Sequence, residues 1–190
     1  MLILDQFKPI PIAKGKKTLT IGNFDGVHKG HQFLLAYLKK LAGSDGCVGA
    51  VTFKHHTSHL FGYPVKEICR YKDKVELLKE HGVDILFSLD FDKSLANYTY
   101  EEFLRQIREV YPFDHLILGE DSYFGKNREG GKENVVKFAK EHDFKALYLP
   151  KIAVNHTQVS SRLIRQLISE RKCSIVYELL GRTDRVALTE

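Results

Sequence analysis

Short apolar runs alternate along the chain with longer stretches in which apolar residues recur at helical spacing. This alternation predicts an α/β fold, with a mostly parallel sheet whose strands are joined by crossover helices. Five runs are predicted to be strands, at residues 18–22, 47–53, 84–89, 115–119 and 146–150. Strands in this order favour one nucleotide-binding domain built on a five-stranded sheet.

The predicted helices lie between and after these strands, and each presents one apolar face. They cover residues 31–41, 72–81, 134–141, 161–169 and 175–180, and one more follows Thr99. Thr99 and Glu102 have the spacing of a capping box. Gly82 and Gly181 follow two of the helices, where glycine commonly ends a helix.

No repeat, linker or low-complexity segment interrupts the 190 residues, so we expect a single domain over residues 1–190 with its core at about 17–182. The chain is 43% hydrophobic and 28% charged, which is typical of a soluble protein with a core. No apolar stretch approaches the roughly 20 residues that span a bilayer. Residues 1–17 lack the order of a signal peptide, which favours the cytoplasm.

The net charge of +5 suits a polyanion or a phosphorylated small molecule equally well. Acidic residues are interspersed with the basic ones outside residues 14–17, so we expect no nucleic-acid partner and no membrane partner. The three cysteines match no zinc or redox spacing. His55, His56 and His59 match no closed zinc site either, so no all-protein metal site is expected.

Residues 22–31, Gly-Asn-Phe-Asp-Gly-Val-His-Lys-Gly-His, form a first candidate loop between a predicted strand and a predicted helix. In open α/β sheets, ligands bind beyond the carboxyl ends of the strands, which is where this loop falls. Gly22, Gly26 and Gly30 let the backbone approach a ligand closely. The start of the next helix offers free N–H groups and a positive dipole end, which together favour an anion.

His28 and His31 are the chemically active side chains of this loop. They are three residues apart, so within a helical first turn both can face the same phosphate and donate to its oxygens. The loop lacks the Gly-Lys-Ser/Thr ending of a Walker motif and the glycine spacing of a Rossmann fingerprint. The histidine pair therefore indicates a different kind of phosphate site.

Residues 119–128, Gly-Glu-Asp-Ser-Tyr-Phe-Gly-Lys-Asn-Arg, form a second candidate loop after a predicted strand. Phe124 can stack on a ligand or pack inward, and Lys126 and Arg128 can neutralise phosphates. A polar, glycine-rich turn with an aromatic plug explains the same residues, and both interpretations stay open.

Residues 159–165 form a third candidate segment, Val-Ser-Ser-Arg-Leu-Ile-Arg. Ser160 and Ser161 at a helix start can cap the helix or donate to phosphate. Arg165 lies four residues past Ser161 and so returns to the same helix face. Such a helix, facing the histidine pair, would clamp a triphosphate from two sides, whereas a plain helix cap is the simpler alternative.

The first loop closely resembles the opening motif of the FMN adenylyltransferase module of bacterial FAD synthetases, in the His-x-Gly-His nucleotidyltransferase superfamily. The second loop is similar to the family's Gly-x-Asp-Phe-x-Phe-Gly-Lys, with Ser122 where Phe is usual. The third is similar to Ser-Ser-Thr-x-Ile-Arg, with Arg162 in place of Thr. His55 replaces a family proline, and the resemblance extends from about Thr18 to the end of the chain.

This resemblance implies a Rossmann-like nucleotidyltransferase fold that transfers AMP from ATP to FMN, giving FAD and pyrophosphate. The FMN phosphate is the nucleophile, so no protein nucleophile is expected, and Mg²⁺ accompanies ATP, held mainly by phosphates and water. Bacterial FAD synthetases usually continue into a riboflavin kinase module, which the 190 residues do not include. We therefore expect no kinase activity here and a separate riboflavin kinase upstream.

The resemblance also implies roles for individual residues, in three sets. The catalytic set is His28, His31, Ser161 and Arg165. The ATP-binding set is Gly22, Phe24, Asp25, Gly26, Gly30, Ser160 and Arg162. The candidates for FMN or metal are Asn23, Asp121, Phe124, Lys126 and Arg128.

Two alternatives stay open from the sequence. One is a nucleotidyltransferase with a different acceptor. The other is a non-catalytic flavin- or nucleotide-binding paralogue, which the substitutions at His55, Ser122 and Arg162 would suit. The intact histidine pair favours catalysis over such a paralogue.

Overall fold

Six parallel strands form the central sheet, and the structure, a computed structural model, describes residues 1–11 and 14–187. In chain order the strands are β1 (Leu2–Leu4), β2 (Lys17–Ile21), β3 (Cys47–Phe53), β4 (Ile85–Leu89), β5 (His115–Gly119) and β6 (Lys145–Leu149). In space they run β1-β4-β3-β2-β5-β6. A small antiparallel hairpin follows, made of β7 (Ala153–Val154) and β8 (Thr157–Gln158).

Seven α-helices accompany the strands in the described residues. They are α1 (Lys29–Ala42), α2 (Tyr71–Glu80), α3 (Lys93–Ala96), α4 (Tyr100–Val110), α5 (Lys132–Glu141), α6 (Ser161–Ser169) and α7 (Cys173–Leu180). Short 3-10 helices lie at Asp25–Val27, Thr57–Phe61 and Lys126–Arg128. Throughout this part of the chain, no helix combines the length and the apolar character that crossing a bilayer requires.

The α/β fold class and all five predicted strands are confirmed, each strand within one residue of its predicted bounds. The predicted number of strands is wrong, because β1 joins the sheet as a sixth strand beside β4. β1 is three residues long, and its side chains are largely exposed, with Leu2 46% and Ile3 48% accessible. Such a short edge strand falls below the length at which an apolar run indicates a strand.

The predicted helices are also present, with small changes at their ends. The capping box is formed, since Thr99 Oγ1 accepts from the Glu102 N–H and the Glu102 carboxylate accepts from the Thr99 N–H. Gly181 ends α7 in a left-handed conformation, with φ of 70°. Helix α1 begins at Lys29 rather than at residue 31, because the side chain of His28 caps it.

Apolar side chains cover both faces of the sheet, as a parallel sheet requires. Helices α1 and α2 pack on one face and α4 and α5 on the other, so that every residue of β3 and β4 is buried. Helices α6 and α7 form a third apolar cluster around the buried Ile68, which lies just before α2. These two helices therefore pack beside the main sheet layers.

The order of the strands creates a crevice above the carboxyl ends of β2 and β5. The chain runs from β2 outward to β3 and β4, and then returns to the other side of β2 to form β5 and β6. The loops that follow β2 and β5 consequently diverge, and ligands of open α/β sheets bind at such a point. The first and second candidate loops are these two segments.

At the opposite end of the sheet, the buried Tyr111 ties β2 to β3. Its hydroxyl donates to the carbonyl oxygen of Cys47 at 2.9 Å and lies 3.3 Å from that of Thr18. Gly49 faces the ring, and a Cβ atom there would lie 2.6 Å from Tyr111 Cε1. Tyr111 therefore pairs its own buried hydroxyl with the backbone of two adjacent strands.

We expect Tyr111→Phe to lower the free energy of unfolding by about 1 kcal/mol, because the hydrogen bond from the buried hydroxyl to Cys47 O is lost while the ring packing is kept. Urea unfolding followed by circular dichroism measures the change. Tyr63→Phe is the control, since Tyr63 is 73% exposed. Equal stability of the two variants would contradict this account of Tyr111.

Candidate active site

A cleft of about 1230 Å³ opens above the carboxyl ends of β2, β3 and β5, and all three candidate segments line it. From the first segment come Gly22, Asn23, Phe24, Asp25, His28, Gly30 and His31. From the second come Asp121, Phe124, Lys126 and Arg128, and from the third Ser160 and Ser161. The volume exceeds the usual range of a single drug-sized pocket and so has room for two substrates.

Three of the predicted site residues do not line the cleft. Gly26 has φ of 77°, and a Cβ atom there would lie 2.7 Å from Ile68 Cγ2, so a glycine is needed for the turn and for close packing. Arg162 is exposed on α6. Arg165 is turned toward the back of the first loop, where it bonds to Asp25.

The backbone of the first loop is held in a strained conformation. Phe24 has φ of 49° and Val27 has φ of 38°, values that bulky and β-branched residues rarely adopt. Strain of this kind persists only where the surroundings hold it, and it clusters at functional sites. Here Gln32 Nε2 donates to Val27 O at 2.9 Å, and Arg182 Nη2 donates to Gly26 O at 2.7 Å. Neither Gln32 nor Arg182 is predicted from the sequence to have a role in the site.

His28 and His31 stack on each other at the amino end of α1. Their ring centroids are 3.7 Å apart, with planes 12° from parallel. His28 Nδ1 accepts from the His31 N–H at 3.3 Å, so the neutral His28 ring carries its proton on Nε2. His31 Nδ1 is buried, and no protein group in the described residues bonds to it. The pair thus offers the Nε2–H donor of His28 and, in the described residues, a His31 Nδ1 atom without a hydrogen-bond partner.

Burial determines the charge of both rings. It lowers the pKa of His28 to about 4 and lowers the pKa of His31 well below its ordinary value. The nearby His28 and Lys74 lower the His31 pKa further. Both imidazoles are therefore neutral at pH 7 and can offer N–H groups to phosphate oxygens.

Asp25 is the buried acidic side chain of the loop, and helix α6 holds it. Arg165 donates to Asp25 Oδ2 from Nε and Nη2 at 3.2 and 3.1 Å, and the Ile68 N–H donates to Oδ1 at 2.8 Å. Burial raises the pKa of Asp25, and the Ile68 N–H and Arg165 oppose this rise. Ser161 Oγ donates to the Asp25 carbonyl oxygen at 3.0 Å. The helix face that Ser161 and Arg165 share therefore binds the first loop through hydrogen bonds to Asp25.

Ser160 caps α6, since its Oγ accepts from the Leu163 N–H at 3.2 Å. The helix-cap alternative thus describes Ser160 in this structure, although Ser160 and Ser161 both line the cleft. The amino end of α6 consequently faces the same space as the amino end of α1.

The second loop contributes both packing and charge. Phe124 packs against Phe103, with ring centroids 6.0 Å apart, so it lies partly in the core. Asp121 pairs with Lys151 at 2.8 Å, and the Arg128 guanidinium lies 5.1 Å from the Tyr123 ring centroid. Lys126 and Arg128 are exposed at the edge of the cleft. The inward packing of Phe124 is thus shown, whereas phosphate binding by Lys126 and Arg128 stays a prediction.

Exposed aromatic side chains also line the cleft, and no role for them is predicted from the sequence. Phe33 on α1, Phe61 after β3 and Tyr123 after β5 all line the space while remaining accessible. Phe33 stands on the exposed side of an amphipathic helix, which is the signal that would have marked it. The cleft thus offers both phosphate donors and apolar ring surfaces.

Asn23 connects the first loop to the segment that follows β3. Its Oδ1 accepts from the Thr57 N–H at 3.1 Å, and its Nδ2 donates to Thr57 Oγ1 at 3.2 Å. Both polar atoms of the side chain are therefore bonded within the protein. Across residues 1–11 and 14–187, no three His, Cys, Asp or Glu side chains are grouped so that they could hold a metal ion.

Comparison with known proteins agrees with this geometry. The model of the FAD synthetase family matches residues 11–163. A bifunctional riboflavin kinase/FMN adenylyltransferase of Listeria monocytogenes is 30% identical over 87% of this chain and 54% of its own length. An FAD synthetase of the same organism is 30% identical over 86% of this chain and 68% of its own length.

One solved structure, titled a macrolide-efflux protein from Streptococcus pneumoniae, superimposes with a TM-score of 0.80 at 25% identity. It covers 95% of this chain and 60% of that one, and the likeness supports the nucleotidyltransferase-like fold. This chain spans about half the length of the bifunctional relative. The family match nevertheless covers most of the 190 residues and includes the first two candidate loops and the start of the third. The chain therefore belongs to the FAD synthetase family.

Proposed function

We propose that this protein is an ATP:FMN adenylyltransferase, which transfers AMP from ATP to FMN and releases pyrophosphate. The observation that carries the proposal is the neutral, stacked pair of His28 and His31 at the amino end of α1, inside a cleft large enough for both substrates. Membership of the FAD synthetase family supports the choice of FMN as acceptor.

The phosphates of ATP are assigned to the space between the amino ends of α1 and α6. Both helix ends present N–H groups and a positive dipole end to this space. The His28 Nε2–H and the His31 ring stabilise charge that develops on the α-phosphate, while Ser160 and Ser161 face the outgoing pyrophosphate. In this structure Arg165 bonds to Asp25, so we assign it first to holding the loop; a direct grip on pyrophosphate requires it to release that carboxylate.

FMN is assigned to the part of the cleft that Phe61 and Tyr123 line. Apolar ring surfaces suit the flat isoalloxazine ring, and the exposed Lys126 and Arg128 offer positive charge to its phosphate. ATP and FMN are cytoplasmic metabolites, which supports a cytoplasmic location. FMN itself must come from a kinase that acts on riboflavin, since the reaction consumes a ready-made phosphate.

The chemical step joins a phosphate oxygen of FMN to the α-phosphorus of ATP and breaks the bond from that phosphorus to the bridging oxygen of pyrophosphate. The protein aligns the two phosphates and stabilises the charge, and no covalent enzyme intermediate is formed. Mg²⁺ fits this site, because it is commonly bound by one carboxylate and substrate phosphates, and Asp121 lines the cleft. When bound, it would neutralise part of the phosphate charge.

A product assay tests the proposed reaction. We expect purified protein with ATP and Mg²⁺ to convert FMN to FAD and pyrophosphate, separated by chromatography. Riboflavin should remain unadenylylated, because it lacks the phosphate that acts as nucleophile. Binding of FMN or ATP without pyrophosphate release, under both oxidising and reducing conditions, would point instead to a binding protein.

We expect His31→Ala to lower kcat at least about tenfold, which corresponds to 1.4 kcal/mol of lost transition-state stabilisation. Steady-state pyrophosphate release measures the effect. His156→Asn is the control, since His156 is exposed on the β7–β8 hairpin and outside the cleft. Near-normal turnover in His31→Ala would remove the proposed role of this histidine.

The buried histidines make folding stability depend on pH. His28 has a pKa of about 4 when folded and 6.5 when exposed, so folding favours its neutral form. The stability that comes from keeping His28 neutral is fully present above pH 6.5 and is lost as the pH falls toward 4. The loss in the free energy of unfolding is on the order of 3 kcal/mol. Urea unfolding between pH 7 and 4 should therefore show a smaller decline for His28→Asn, which retains a capping oxygen, than for the natural chain. Parallel declines would contradict the burial of His28 in its neutral form.

A further inference from the structure

Lys74 is a buried lysine that the proposed mechanism does not use. It lies on α2 beside Val75, Leu77 and Leu78 and is only 5% exposed. In the described part of the chain, no carboxylate oxygen lies within 4.0 Å of its Nζ. Burying an ammonium group without a close counter-ion is costly, so such a lysine must gain strong hydrogen bonds in return.

Backbone carbonyl groups supply those hydrogen bonds, and they belong to the ends of two adjacent strands. Lys74 Nζ donates to Phe53 O at 2.7 Å, at the end of β3, and to Asn23 O at 3.3 Å, just after β2. Thr52 Oγ1 also donates to Asn23 O, at 3.1 Å. Lys74 and Thr52 therefore both donate hydrogen bonds to the carbonyl oxygen of Asn23.

The same residue, Asn23, extends the connection to the cleft. Its side chain makes the two hydrogen bonds with Thr57 described above, and Thr57 begins the 3-10 helix that ends at Phe61. We call the set Lys74, Thr52, Asn23 and Thr57 the strand-end latch. On one side of the latch is the loop with His28 and His31, and on the other is the segment of residues 54–61, which lines the cleft through residues that include His56, Leu60 and Phe61.

We propose that Lys74 is a positioning residue, whose buried ammonium group holds residues 54–61 in register with the His28–His31 loop. The inference rests on the proposed function, because it assigns ATP phosphates to one side of the latch and FMN to the other. Transfer requires the FMN phosphate oxygen to lie in line with the α-phosphorus, and a displacement of about 1 Å can cost about a hundredfold in rate. Lys74 touches no substrate, since it lies outside the cleft lining, and acts through Asn23 and Phe53.

Charge around Lys74 is consistent with this role. Burial lowers the pKa of Lys74, whereas Glu67, Cys69 and Asp25 oppose that fall from a distance. Glu67 and Cys69 belong to the loop before α2, and Asp25 accepts a hydrogen bond from Ile68 in that loop, so all three favour the ammonium form without bonding to it. The ammonium group is thereby left to the two strand-end carbonyls.

Lys74→Met tests the proposal, because methionine retains the length and apolar stem of lysine and removes the donor. We expect kcat for FAD formation to fall about ten- to hundredfold, while the Kd of ATP changes less than about threefold. We also expect faster hydrogen–deuterium exchange in residues 54–61, including the Thr57 amide. Lys72→Met is the matched control, since Lys72 is exposed on the same helix, and it should change none of the three quantities.

A kcat for Lys74→Met within twofold of the natural chain would overturn the proposal, and so would unchanged exchange in residues 54–61. An equal loss of kcat and of ATP affinity would indicate a merely structural lysine and would also overturn it. If the natural chain forms no FAD, the proposed function fails, and the exchange experiment still decides whether Lys74 holds this segment.

A second variant covers the case in which Lys74→Met does not fold. Thr57→Val keeps the shape of the side chain and removes the hydroxyl that accepts from Asn23 Nδ2. Loss of one such hydrogen bond should lower kcat about fivefold and speed exchange in residues 54–61, with the urea unfolding midpoint nearly unchanged. Unaltered kcat and exchange in Thr57→Val would overturn the latch.

Discussion

The strained loop between β2 and α1 is the constraint on which the rest of the site depends. It contains a buried carboxylate at Asp25 and two residues, Phe24 and Val27, with positive φ, and neither feature is favourable in isolation. Helix α6 binds the carboxylate through Arg165, and Arg182 binds the Gly26 carbonyl. Side chains more than 130 residues away in the chain thus hold the conformation that brings His28 and His31 together.

The site also depends on the sheet, because the strand order separates the loops after β2 and β5 and opens the cleft between them. A parallel sheet buried on both faces is a rigid base, and the substrates contact only what projects above its carboxyl edge. Helix ends, neutral imidazoles and aromatic rings reach that edge from different parts of the chain. The chemistry proposed for this protein needs alignment rather than a reactive side chain, and a rigid base suits that need.

Local patterns in the sequence predicted those features that depend on neighbouring residues. The five longer strands, the capping box at Thr99 and the position of the histidine pair at a strand-to-helix turn all follow from short-range periodicity or spacing. The strand β1 did not, because three residues carry too little signal. The pairing of Arg165 with Asp25 could not be predicted either, since the spacing within α6 gives the helix face but not its partner. Lys74 resembles the exposed lysines around it, and only the packing of α2 shows that it is buried.

The dependence of the first loop on α6 and Arg182 has a consequence for synthesis on the ribosome. The sixth strand of the sheet ends at Leu149, so a nascent chain can complete its sheet before the last helices have left the exit tunnel. At that stage the buried partner of Asp25 and the donor to Gly26 are still missing. The loop that carries His28 and His31 would therefore become ordered only after Arg165 and Arg182 have emerged, later than the sheet on which it stands.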